Sequence, residues 1–151
     1  MKIAEALAER SDCQRRIEEL KKRLTRVARV QEGEQPAEDP SALLAEMDGT
    51  FDRLSALIMS INRTNAATIF REGQTIADAI ADREMAGKKR DFLVSIADAA
   101  STRQDRYSKS EVRFVATVPV TNLQKQIDQL SKEFRELDTK LQELNWKTEI
   151  V

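Results

Sequence analysis

From Val120 to Leu144 the apolar residues fall at Val120, Leu123, Ile127, Leu130, Phe134, Leu137, Leu141 and Leu144, so that steps of three and four alternate without a break. This spacing averages 3.5 residues. It lays a narrow apolar seam along a helix and asks for a partner helix wound against it in a left-handed sense. A chain carrying such a stretch cannot leave it alone in water, and its fold must supply a second helix from the same chain or from another copy.

The rest of the sequence suits that demand. Charged residues make up 34% of the 151 positions and aromatics 5%, a balance that favours long helices with wet outer faces over a broad globular core. Four glycines and three prolines leave few turns, so the elements should be few and long. The length fits one domain, residues 1–151. A net charge of -1 argues against a general nucleic-acid binder. With a single cysteine, Cys13, and no histidine, neither an internal disulfide nor the usual zinc ligand sets can form, and no metal or cofactor is expected. The opening residues lack the apolar run of a signal peptide and no later stretch approaches the ~20 apolar residues of a membrane span, so a cytoplasmic protein is expected.

Taken in order, Ile3, Ala6, Cys13, Ile17, Leu20, Leu24 and Val27 repeat the three-and-four spacing, interrupted at Arg10, and predict a helix from about Ile3 to Val30. Cys13 falls on its seam and reads as a small buried residue rather than a nucleophile. Gly33, Pro36 and Pro40 break the helix, and Asp39 followed by Pro40 has the form of a cap and first turn for the next one. The acidic cluster Glu32, Glu34, Glu38 and Asp39 lacks the ligand alternation of a calcium loop and reads as solvated. The second helix, to about Ile61, places Leu44, Met47, Phe51, Leu54, Ile58 and Ile61 on a seam that Leu43 and Leu57 widen, which predicts neighbours on more than one side. No basic residue occurs between Glu32 and Asp52, whereas Arg16, Lys21 and Arg23 flank the first seam, so the two helices suit an antiparallel hairpin.

Asn62-Arg63-Thr64-Asn65 reads as the polar end of that helix, followed by a strand at 67–70 and a turn at Gly73. Thr75 with Asp78 has the form of a capping box and opens a third helix to about Thr102, whose poor apolar pattern predicts exposure or a kink near Gly87. Residues 111–118 alternate as a half-buried strand does, and 146–150 carry enough β-branched and aromatic residues for another. The expected fold is mainly α: a long-helix antiparallel coiled-coil bundle of about four helices, with a small β appendage from strands near 67–70, 111–118 and 146–150.

Two sets of residues are candidates for function. The first is the seam of the last helix, Leu123, Ile127, Leu130, Phe134, Leu137 and Leu141, as a surface for helix pairing or oligomer formation. The second is the pair of polar clusters that flank the 67–70 and 111–118 strands: Asn62, Arg63 and Asn65 on one side, Asp105, Arg106 and Tyr107 on the other. If those strands pair, the clusters meet and could hold an anion or a small molecule or, as readily, fix a junction by hydrogen bonds. No spacing matches a catalytic motif and the commonest general base is missing, so no catalytic residue is assigned and an enzyme is not expected. The basic stripe Arg15, Lys22 and Arg29 reads as an ordinary solvated face, and Lys88, Lys89 and Arg90 are too few for nucleic acid.

The stretches Lys2-Ile3-Ala4-Glu5-Ala6-Leu7-Ala8-Glu9-Arg10, Val30 to Glu34, Ile61 to Asn65, Gln104 to Ser108 and Leu141 to Trp146, taken together and in order, resemble the small bacterial septicolysin-like family. That resemblance implies a mostly helical, self-associating protein with no catalytic residues to carry over, and its name brings in a membrane-active cytolysin as an alternative. The residues themselves favour a cytoplasmic scaffold or interaction protein that forms a homo-oligomer through its heptad seams.

Overall fold

The computed structural model describes residues 1–101 and 112–151. Four helices, α1 (Ile3–Val27), α2 (Pro40–Ala67), α3 (Ile76–Ser101) and α4 (Val120–Lys147), carry most of them, with a two-stranded hairpin of β1 (Ile69–Arg71) and β2 (Gln74–Thr75). The mainly helical fold with a small sheet is therefore as expected. The chain forms two compact units, residues 1–69 with 142–151 and residues 70–141.

In the first unit α1 starts where Glu5 Oε2 accepts the Lys2 backbone N–H at 2.7 Å. It buries Ile3, Ala6, Leu20 and Val27, with Cys13, Ile17 and Leu24 half-buried along the same row, as the spacing predicts. A turn with Gly33 at φ 87° follows, a backbone conformation that glycine adopts without steric cost. α2 then opens as its sequence directs: Pro40 occupies the first position and Asp39 Oδ1 accepts the Ser41 N–H at 3.0 Å.

Two expectations for α2 are corrected. The helix runs on through Asn62-Arg63-Thr64-Asn65 to Ala67. Thr64 turns inward instead of breaking the helix, donating its hydroxyl to the Ser60 carbonyl at 2.8 Å. The inner face also differs from the expected seam. Leu43, Leu57, Ile61 and Thr64 are buried, and Met47, Thr50, Leu54 half-buried, whereas Leu44, Phe51 and Ile58 lie outside. α2 carries two apolar rows that share Met47, Leu54 and Ile61, and α1 takes the row that includes Leu43 and Leu57. Leu20, Val27 and Leu43 form one core cluster with Leu24 and Met47, and Ala6, Leu57 and Ile61 another with Leu7, Cys13 and Ile150.

The end of the chain closes this unit. The Ile3 N–H donates to Thr148 O at 2.9 Å, the Ile150 N–H to Met1 O at 2.9 Å, and the Val151 N–H to the buried Thr64 hydroxyl at 3.0 Å. The β-forming residues near 146–150 thus make a single antiparallel bridge, Lys2 with Glu149, and send Ile150 into the core rather than joining a sheet.

In the second unit the hairpin turns at Glu72-Gly73, with Gly73 at φ 73°. Asp78 Oδ2 accepts the Thr75 N–H at 2.8 Å and Thr75 Oγ1 the Asp78 N–H at 3.3 Å, the reciprocal cap expected for α3. α3 continues through Gly87 as one helix. Its buried positions are Ile76, Ala79, Ala86, Gly87 and Ala97, so its inner face is built from small residues, which explains the weak apolar pattern. The small face admits the α4 seam closely: a Cβ added at Gly87 would stand 3.2 Å from Phe134 Cε2. Arg83 Nη1 donates to Asp138 Oδ1 at 2.6 Å, and the Arg90 guanidinium lies 5.1 Å from the centre of the Phe134 ring. Residues 112–118 make no strand, and Phe114 and Val115 stand in solvent. Among the described residues the alternation there meets no facing strand: the sheet consists of β1 and β2 alone.

Candidate functional site

The two candidate sets fare differently. On α4, Ile127, Leu137 and Leu141 are buried and Leu123, Leu130 and Phe134 half-buried, and Phe134 packs on Gly87 of α3. The polar clusters are not joined by the strand pairing that would unite them. Asn62 and Arg63 stand exposed on the last turns of α2, and Asn65 is half-buried with its Oδ1 enclosed and lacking a hydrogen-bond partner. Asp105, Arg106 and Tyr107 lie outside the described residues.

Charge on the α1–α2 hairpin is arranged as the sequence suggests. Arg23 reaches Glu38, with Nε 3.1 Å from both carboxylate oxygens; Arg16 Nε reaches Glu46 Oε1 at 2.6 Å; and Arg53 meets Glu9 through two bonds of 2.6 and 2.7 Å. The last two run between the helices and support their antiparallel register, while the first ties α1 to the turn that leads into α2. Between the last two lies a groove lined by Asp12, Cys13, Arg16, Glu46, Gly49, Thr50 and Arg53. Gly49 leaves it open, since nothing lies within 4 Å of where a Cβ would sit. Both guanidinium groups that flank it are neutralised by Glu9 and Glu46, so the groove offers no uncompensated cation to an anionic ligand.

These contacts give the unit a pH dependence. Hydrogen bonds from Arg53 and from Arg23 hold the Glu9 and Glu38 carboxyls below their ordinary value, and bonds from Lys2 and the Met1 ammonium lower Glu149 to about 2. A carboxyl whose folded pKa is depressed stabilises the fold fully above its unfolded value of 4.5 and loses that contribution as pH falls toward the folded one. The urea midpoint is therefore expected to be flat from pH 7 to about 5 and to drop between pH 4.5 and about 2. Glu149→Gln should shrink the drop at its lower end; an unchanged acid limb in that variant would contradict the assignment.

A further feature of the first unit is the outer face of α2. Leu44, Phe51, Ile58 and Met59 are 47, 48, 37 and 49% exposed. The first three recur every seven residues and so form one line along the helix. α2 is also sparsely charged, with Glu46, Asp48, Asp52, Arg53 and Arg63 its only charged side chains. Single exposed apolar residues are ordinary on a protein surface, whereas a line of them at helical spacing marks a contact face. Their periodicity is visible in the sequence and places them on the expected inner seam; the choice between two overlapping rows is not visible there.

Residues 10–150 match the model of a family of unknown function, DUF6847, and the chain belongs to that family. The crystal structure of a functionally unknown conserved protein from Corynebacterium diphtheriae is similar at 47% identity, covering 100% of this chain and 99% of that one, with a TM-score of 0.95. No curated protein matches the sequence. The likeness to the septicolysin-like family is thereby corrected: neither the family match nor the structural relative indicates it. Of the stretches that carried it, Ile3 to Arg10, Ile61 to Asn65 and Leu141 to Trp146 are helical segments of a kind many long helices share. Among the described residues no helix is long and apolar enough to cross a membrane.

Proposed function

We propose that this DUF6847 chain is a cytoplasmic helical interaction protein that works as a homo-oligomer. The observation that supports the reading is the line Leu44, Phe51 and Ile58 left outside a hairpin whose own core is already closed. Burying such a line is worth roughly 25 cal/mol per Å² of apolar surface, and nothing in the first unit covers it. An anion site around Arg63 draws less support, because Asn62 and Arg63 stand exposed on the last turns of α2.

The double variant Phe51→Glu, Ile58→Glu tests the reading. Both positions face outward, so the helical circular dichroism and the melting temperature at low concentration are expected to change little, while sedimentation equilibrium should fall to the 17.2 kDa of one chain. An assembly that survives both charges would contradict the use of this face.

A further inference from the structure

We propose that residues 148–151 form a strap that releases in one piece from the first unit while the α1–α2 hairpin stays folded. α4 ends at Lys147, and its last helical bond runs from the Thr148 N–H to Leu144 O at 2.9 Å, so beyond that point the backbone has left the helix. The strap is then held by two helix ends. Its Thr148 carbonyl accepts the Ile3 N–H, an amide in the first turn of α1 that has no acceptor within its own helix, and the Ile150 N–H returns a bond to Met1 O. Val151 reaches across to the Thr64 hydroxyl near the end of α2. Glu149 meets Lys2 and the Met1 ammonium, both at 2.7 Å, with its side chain 59% exposed.

Each of these attachments is weak by itself. A hydrogen bond exchanged with water contributes little net free energy, an exposed ion pair less, and Ile150 is half-buried at the edge of the Ala6, Leu57 and Ile61 cluster. The conformational entropy of the ordered strap opposes them. The other core cluster of the hairpin, Leu20, Val27 and Leu43, and the pairs Arg16–Glu46 and Arg53–Glu9 involve no strap residue. The hairpin therefore keeps its own support when the strap is away. The amide bonds of the strap all fall between Thr148 and Val151 and alternate between the start of α1 and Thr64, so that swinging the backbone out at Lys147 breaks them together. Release uncovers the apolar seat of Ile150, the Thr64 hydroxyl and the Ile3 N–H, groups suited to an extended segment. Closed, the strap denies them to any other.

Amide hydrogen exchange of the full chain, read by nuclear magnetic resonance over a series of urea concentrations below the unfolding transition, tests this. Protection at positions 3, 150 and 151 is expected to agree within about threefold and to lie at least about tenfold below that of Leu20. It should change little with urea, since release exposes little surface, whereas Leu20 protection falls steeply. Ile150→Ala should lower protection at all three positions by one common factor of about tenfold. Three amides that share the protection and urea dependence of Leu20 would mean that strap and hairpin unfold in one step, and would overturn the proposal. A loss in Ile150→Ala confined to positions 150 and 151, with Ile3 unmoved, would reduce the strap to an end that frays residue by residue and would overturn it too.

Discussion

Leu57→Ala is expected to lower the stability of the chain by about 3 kcal/mol, within the 2 to 5 that buried leucine truncations cost when the cavity only partly collapses. Leu57 is 2% exposed and packs with Ala6 and Ile61 where α1, α2 and the returning Ile150 converge. Three segments distant in sequence meet there, so the neighbours cannot close on the void by moving one helix. At a urea m-value of about 2 kcal/mol/M the midpoint should fall by about 1.5 M with the slope unchanged. The comparison is made at one protein concentration, because association would add to the apparent stability. A loss under about 1 kcal/mol would mean that α2 does not turn this side inward, and the assignment of its outer face would fail with it.

Gly87→Leu is expected to cost about 2 to 3 kcal/mol, the penalty of forcing bulk into a closely packed contact. The glycine costs α3 roughly 1 kcal/mol of helix propensity relative to alanine, and its place is explained by the Phe134 ring that lies where a side chain would grow. Gly87→Ala sets that propensity gain against a contact of 3.2 Å that the ring must relieve, so it should fall within about 1 kcal/mol of the native protein. The contrast between the two variants is the informative quantity, read as the difference in urea midpoint. If leucine were tolerated as well as alanine, the α4 seam would not seat on the small face of α3.

Much of the architecture is legible in local chemistry. Asp39 and Pro40 start α2, Thr75 and Asp78 start α3, and the row from Ile3 to Val27 on α1 turns inward where its spacing says it should. These signals are carried by a few adjacent residues or by one uncontested period. What was not legible depended on choices between competing partners. α2 presents two apolar rows, and only the position of α1 decides that Leu43 and Leu57 go inside while Leu44, Phe51 and Ile58 stay out. The weak pattern of α3 hid an inner face of Ala79, Ala86, Gly87 and Ala97, because small residues mark close approach and not hydrophobic bulk. Residues 112–118 alternate as a strand would, yet a strand needs a paired edge, and among the described residues the sheet joins only Ile69–Arg71 and Gln74–Thr75. Thr64, set in a polar run, becomes the buried acceptor for the Val151 N–H, a contact across the length of the chain that no local signal announces.

The candidate site follows the same logic. Asn62 and Arg63 read in the sequence as polar residues near a helix end, and they are exposed on α2. The outer row is heptad-spaced and apolar in the sequence; its exposure, which makes it a candidate for interaction, is a property of the folded hairpin alone.

The most direct test is the mass of the unmodified protein in solution, by light scattering behind a sizing column over a hundredfold range of concentration. Pairing through the outer face of α2 predicts twice 17.2 kDa, held constant down to the lowest concentration. A value of 17.2 kDa at every concentration would contradict it, and would mean that the row Leu44, Phe51 and Ile58 does not bring two copies of this chain together.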